Sequence, residues 1–259
     1  MWDAFTHKAG NGERVAQIAV ADAREIVRCL MSLISACLSR RSTLLLEMAD
    51  YSFDNDEIAR CEERANAESE YLTHLVDSVG YQLKSLGEGF APIFAESVAG
   101  PLGQVLTTSG TNNDARARLS AICLFDDCIE HCGSSAASAY APMLLKGIHE
   151  ALDNDKEKIS DVELKQAAVY GIAQVARHAP NALPPAVGQD LLRKVYDMAK
   201  EVETVSKGGM EHVALVENAL SSIASLALLR GSPLYDSVSD KRALLQRCSR
   251  KGRVWAAGG

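Results

Sequence analysis

Aromatic side chains are scarce in this 259-residue chain, at 5 % against 47 % hydrophobic residues overall. Ala and Leu fill the gap, which suits helices packed at close range. Val and Ile do not fall into clean alternating runs, so strands have no period-2 signal. Uninterrupted apolar runs are also missing. The most apolar long stretch, Val15–Leu38, is broken by Asp22, Arg24, Glu25 and Arg28, whereas a membrane span needs about 20 nearly uncharged residues. The opening MWDAFTHKAGNGER has no basic region followed by an apolar core, so it does not read as a secretory signal. A soluble all-α chain is expected, with no membrane contact.

Catalytic signatures are lacking too. GxSxG, HExxH and Walker-type phosphate loops do not occur, and the GNGER string at 10–14 reads as a turn. Histidines 7, 74, 149, 178 and 212 share no spacing with a nucleophile. His178, just before Ala179 and Pro180, suits a helix C-terminus electrostatically. The seven cysteines (29, 37, 61, 123, 128, 132 and 248) are odd in number and scattered, unlike a disulfide framework, and imply a reducing compartment. Cys128, His131 and Cys132 lie near one another on one helix, but structural zinc wants four converging ligands and no second Cys/His pair exists. The expectation is a non-enzyme without metal or cofactor.

Charge is uneven. The whole chain carries −7, residues 240–259 a local +5 and residues 1–239 therefore −12. An acidic body is wrong for sequence-independent nucleic-acid binding, which needs cations. It is compatible with a receptor for basic proteins, and equally with the mild acidity of many soluble chains. The basic tail from residue 233 reads as a solvated, poorly ordered end, a nuclear-targeting or docking patch, or a terminus foreign to the parent protein.

What is present is helical periodicity. Glu13–Ser39 predicts one or two amphipathic helices followed by Arg40 and Arg41, with weaker helical support over Ser42–Tyr51. The DYSFDNDE string (50–57) in the acidic stretch Glu47–Glu70 reads as a loop, with a helix from Ile58 to Glu70. Ser69–Leu86 predicts a further helix ended by Gly87 and Gly89. Phe90–Leu106 predicts another, interrupted near Gly100 and Pro101. Asp114–Gly133, Asp161–Pro180 and Val213–Arg230 look like variations on one unit. Asp114 aligns on Asp161 at an offset of 47, and Gln166–Ala173 lies over Glu217–Ala224 at 51. Ser134–Asn154 and Ala182–Val205 supply partner helices. Periods of about 40–47 residues built from helix pairs mark HEAT and armadillo arrays. The prediction is a HEAT-repeat α-solenoid of four to five helix pairs over residues 1–232, with 233–259 as the tail.

Projected at 100° per residue, Ala121, Ile122, Phe125, Ile129 and Cys132 form the packed arc of the first repeat helix. Asp126, Asp127 and Glu130 are assigned to the opposite side. Like charges at Asp126 and Glu130 disfavour an isolated helix by about 0.2–0.5 kcal/mol. They form either a plain solvated face or a surface that a basic ligand relieves. In Val213–Arg230 the stripe is Val216, Leu220, Ile223 and Ala227. Glu217 and Asn218 are placed away from it, extending the same polar surface.

The strings LSAICLFDDCIEHCG (119–133), AAVYGIAQVARHAP (167–180) and VENALSSIASLAL (216–228) resemble consecutive repeats of the importin-beta superfamily, most of all its importin-five (karyopherin beta-three) branch. The resemblance extends over about residues 5–232. It implies a superhelix with outer A and inner B helices, the three strings being B helices. Asp126, Asp127 and Glu130 would then face the inside. It also implies basic protein cargo with nuclear localisation signals, the Ran GTPase and phenylalanine–glycine nucleoporins as partners, and shuttling between cytoplasm and nucleus. Family members are several times longer, so the chain is expected to be a mid-to-C-terminal fragment, lacking the repeats that chiefly grip Ran. A HEAT-repeat scaffold without transport role is the alternative.

Overall fold

The computed structural model describes residues 19–49, 54–108, 114–153, 162–205 and 210–229, with the side chains of 200–205 and 210–213 left aside. The tail at 233–259 and the GNG turn at 10–12 lie outside the described residues. The described residues are helical and contain no strand. The helices are α1 (Val20–Met48), α2 (Asn55–Leu86), α3 (Ala91–Ile93), α4 (Ala99–Thr107), α5 (Ala115–His131), α6 (Gly133–Asp153), α7 (Val162–His178), α8 (Pro185–Val205) and α9 (Met210–Ala227). Short 3₁₀ turns occupy Gly87–Phe90 and Pro180–Ala182. The chain divides into two compact units, Met1–Gly147 and Ile148–Gly259.

In the first unit, α1 and α2 form an antiparallel hairpin. Buried Ala23, Val27, Met31, Ile34, Cys37, Arg41 and Leu44 recur every three or four residues along α1, the spacing that keeps one helical face inward. This helix runs unbroken through Arg40 and Arg41 to Met48, so the weaker helical signal after Ser42 continues the same helix. By length and composition α1 is also long and apolar enough to cross a membrane, and its buried face lies against α2. The Cys37 thiol donates to the Glu68 carbonyl at 3.2 Å, and Cys61 lies 3.6 Å from Glu47.

Helix α2 starts earlier than expected. Asp54 accepts from the Glu57 N–H at 2.8 Å while Glu57 accepts from the Asp54 N–H at 3.0 Å. This capping box satisfies two donors that a helix start otherwise leaves open. Continuing unbroken to Leu86, α2 replaces the expected loop and two separate helices. Gly87 ends it at φ 55°, a left-handed conformation that glycine adopts without a Cβ penalty.

The helix runs through Gly100 and Pro101 without the expected interruption. The irregularity lies upstream, a π-turn over Phe94–Val98 where the Ala99 N–H reaches back to the Phe94 carbonyl. Pro101 has no N–H for the Ser97 carbonyl, and the ladder is reset just upstream. The turn presents Phe94 edge-on to Phe125 (centroids 5.1 Å) and against Tyr140 (5.0 Å), closing a three-ring cluster between the π-turn, α5 and α6. Glycine sets how near α4 and α6 come. A Cβ at Gly147 would lie 2.7 Å from Leu106 Cδ2, so a side chain there forces the two apart.

Within each unit two helices that are not neighbours in the chain lie side by side in parallel. In the first unit, Gly80 faces Leu124 and Asp127, Lys84 reaches Asp127, and Gly87 faces the His131 carbonyl. These pairs run in the same direction, so α2 and α5 are parallel at offsets of 43–47. In the second unit, Ser222 donates to the Val169 carbonyl and Arg177 reaches Ser221 and Ser225. Helices α7 and α9 are thus parallel at 44–53. Lys194 of α8 meets His149 and Asp153 at 45 and 41.

Arg41 joins three helices. It is 5 % exposed and donates from Nε and Nη2 to both carboxylate oxygens of Asp114, each at 2.8 Å. Its Nη1 also donates to the Ala65 carbonyl and to Ser69 Oγ of α2. Asp114 is at the same time the N-cap of α5, accepting from the Arg116 N–H at 3.0 Å. Arg41→Ala leaves the half-buried Asp114 carboxylate without its cation and is predicted to lower stability by about 2–3 kcal/mol, measured by urea unfolding. Replacing both partners, as Arg41→Met with Asp114→Ser, should recover part of that loss.

Candidate functional site

Helix α5 carries Asp126, Asp127 and Glu130, and α9 carries Glu217 and Asn218, the residues singled out in the sequence. The expected packed arc is present: Ala121, Ile122, Phe125, Ile129 and Cys132 are all buried. Asp126, however, is not on an open face. It is 2 % exposed, and its Oδ1 is buried without a hydrogen-bond partner. The projection placed it wrongly because Asp126 stands only about 40° round the helix from Ile122. Leu124 and Cys128 are buried as well, so α5 is covered well beyond the one arc.

Burial holds the Asp126 carboxyl well above the usual carboxylate range, helped by the charges of Asp127 and Glu130. Asp127 is raised too, chiefly by burial, with Lys84 opposing. Its carboxylate rests over Gly80, where an added Cβ would come within 3.0 Å, and Lys84 Nζ lies 3.0 Å away. The glycine gives the carboxylate room and the lysine balances it. Glu130 is half-buried, 3.9 Å from His131. Beside them the Cys123 thiol is pushed up to about 12, mainly by burial and then by Asp126, Asp127 and Asp77. Asp77 of α2 is exposed and belongs to the same negative patch, a member that the repeat alignment did not reveal.

The cysteines near this patch are reduced. Cys128 and Cys132 are buried, and a hydrogen bond to Cys132 together with burial keeps the Cys128 thiol protonated. Among the described residues no three His, Cys, Asp or Glu side chains converge as a metal site would require.

The two residues from the second unit stand in a separate place. Glu217 is exposed, while Asn218 is half-buried and donates to the Gln166 carbonyl of α7 at 3.4 Å. The buried stripe of α9 is Leu215, Ala219, Ser222, Ile223 and Leu226, with Val216, Leu220 and Ala227 only half-buried. It is turned by about one residue from the expected stripe. The Ser222 hydroxyl makes this possible by bonding to the Val169 carbonyl instead of seeking water. Arg177 and His178 stand in the last turn of α7, where cations favour the carbonyl end of the helix dipole.

With this geometry in hand, comparison with known proteins adds no family: no protein-family model matches the chain, and no curated protein is similar to it.

The raised Asp126 carboxyl has a definite consequence for stability. The native state holds a proton that the unfolded chain releases at lower pH, so stability falls as pH rises from the unfolded value towards the native one. Asp126→Asn keeps the shape and removes the ionisation. It should raise the urea midpoint at pH 7.5 and leave it nearly unchanged near pH 4. Equal effects at both pH values would contradict the assignment.

Proposed function

We propose that the chain is a HEAT-repeat segment of the importin type, binding basic protein cargo with nuclear localisation signals along stacked inner helices. What carries the reading is the pairing of same-direction helices at repeat-length offsets within each unit: α2 with α5 at 43–47 and α7 with α9 at 44–53. Helix-pair arrays repeat at about 40–47 residues, a range that holds all the α2–α5 offsets and the shortest α7–α9 offset. The sequence strings at 119–133, 167–180 and 216–228, which resemble importin-beta repeats, fall on α5, α7 and α9. Asp77, Asp127 and Glu130 then offer carboxylates beside one another on α2 and α5, and Glu217 offers one on α9. Ran in its GTP form and phenylalanine–glycine nucleoporins are the further partners that the reading implies.

Recognition on this reading is additive. Each carboxylate, half-buried at Asp127 and Glu130 and exposed at Asp77 and Glu217, contributes a weak, salt-screened attraction to Lys or Arg. Many contacts together give steering and affinity. Asp126 takes no direct part, being buried. A second reading, a HEAT scaffold without transport role, is favoured by the Lys84–Asp127 ion pair, which cancels one of the charges a cargo would seek.

Binding of a fluorescent lysine-rich localisation peptide to the full chain separates the two. The transport reading predicts affinity that falls steeply between about 50 and 300 mM salt. The combined change Asp127→Asn, Glu130→Gln and Glu217→Gln should weaken it by about fivefold or more at low salt, and Ran-GTP should displace it. Binding indifferent to these carboxylates removes them from the proposal. Partners of mixed charge, unaffected by Ran-GTP, favour the scaffold.

A further inference from the structure

The second unit holds a groove between α7 and α9 whose chemistry is opposite in sign to the acidic patch. It is an open depression of about 280 Å³ lined by Ala176, Arg177, Ser221, Ala224 and Ser225, together with Leu228 and Leu229. We propose that this groove docks a partner protein's peptide segment in which an acidic side chain neighbours an apolar one, the carboxylate meeting Arg177 and the apolar group covering Leu228. The proposal stands apart from the basic-cargo reading, since it uses other residues and a ligand of opposite charge.

Three observations converge on that occupant. The first is the state of Arg177. Its Nε donates to Ser225 Oγ at 3.1 Å and its Nη2 to Ser221 Oγ at 2.6 Å. Both partners are neutral hydroxyls, and among the described residues Arg177 forms no ion pair. Ser225 in turn donates to the Ser221 carbonyl at 2.8 Å, so its lone pairs stay turned towards the guanidinium. The plane of the guanidinium is therefore fixed before any ligand arrives. A pre-oriented fork with N–H groups to spare is matched by a carboxylate.

The second is apolar exposure. Leu228 is 77 % exposed, the highest value among the large hydrophobic residues of the described surface. Lining the same groove as an uncompensated cation, it gives a site for a side chain that the carboxylate alone would not need. The third is the floor. Ala176 and Ala224 are small, so a peptide can approach α7 and α9 closely without displacing side chains.

One guanidinium beside two hydroxyls and exposed Leu228 balances one carboxylate. A nucleic acid or a polyphosphate would need several cations and would meet a chain of net charge −7. The occupant is thus a protein segment with an isolated acid.

Peptide display on the immobilised full chain, with counter-selection on the Arg177→Ala variant, tests this. Arg177 is exposed, and circular dichroism of the variant checks that its fold is retained. The expected result is Arg177-dependent enrichment of sequences with Asp or Glu within four residues of Leu, Ile or Phe. A synthetic peptide from that pool should lose about tenfold in affinity on Glu→Gln in the peptide or Arg177→Ala in the protein, with Arg177→Lys intermediate. Leu228→Ser should also weaken it, as an independent variant. Absence of Arg177-dependent enrichment overturns the proposal, as it would if a second copy already filled the groove. Enrichment of basic or purely apolar peptides overturns it as well.

Discussion

A single buried guanidinium organises the first unit. Arg41 leaves α1 to engage α2 through the Ala65 carbonyl and Ser69, and α5 through both oxygens of its N-cap, Asp114. Each group answers a need of another. The carboxylate satisfies a helix N-terminus and balances a charge that would otherwise be costly in so dry a place. The guanidinium's planar fork fits that carboxylate, which a lysine could not do with the same geometry. Helices joined in this way have a fixed register. The spacing between Ser69 and Asp114 belongs to the same series as Gly80 to Asp127 and Gly87 to His131.

Register in turn fixes which side chains share an environment. Once α2 and α5 lie parallel, Asp77, Asp127, Lys84 and Cys123 form one electrostatic neighbourhood, although up to 50 residues separate them in the chain. In the second unit α7 and α9 also lie parallel, and the polar groups that meet there have neutral partners. Ser222 bonds to an α7 carbonyl, Asn218 does the same, and Arg177 meets serines. One interface centres on an ion pair, the other on hydroxyls and an amide that meet carbonyls and one guanidinium. Their surfaces differ accordingly, acidic beside α5 and cationic–apolar at the end of α9.

The helical class, the start of α5 at Asp114 and the arc from Ala121 to Cys132 were legible from period and capping residue alone. The start of α2 was legible but passed over: Asp54 and Glu57 are spaced as a capping box inside a string that reads as a loop because it is acidic. Asp126 and Arg41 could not be placed this way. A wheel projection describes one helix against one partner, whereas α5 is buried over most of its circumference. An arginine following an apolar helix looks solvated until the distant Asp114 is known to face it. The turned stripe of α9 has a similar origin, because a serine counts as polar in sequence yet sits buried once its hydroxyl finds a carbonyl.

Hydrogen–deuterium exchange on the full chain and on Arg41→Ala tests the organising role of that residue most directly. Loss of the guanidinium should speed exchange in the first turn of α5, at residues 115–118, and in the middle of α2 around residues 65–69. Helices α7 and α9 should keep their protection. Unchanged exchange at 115–118, or loosening spread evenly over both units, would contradict the account.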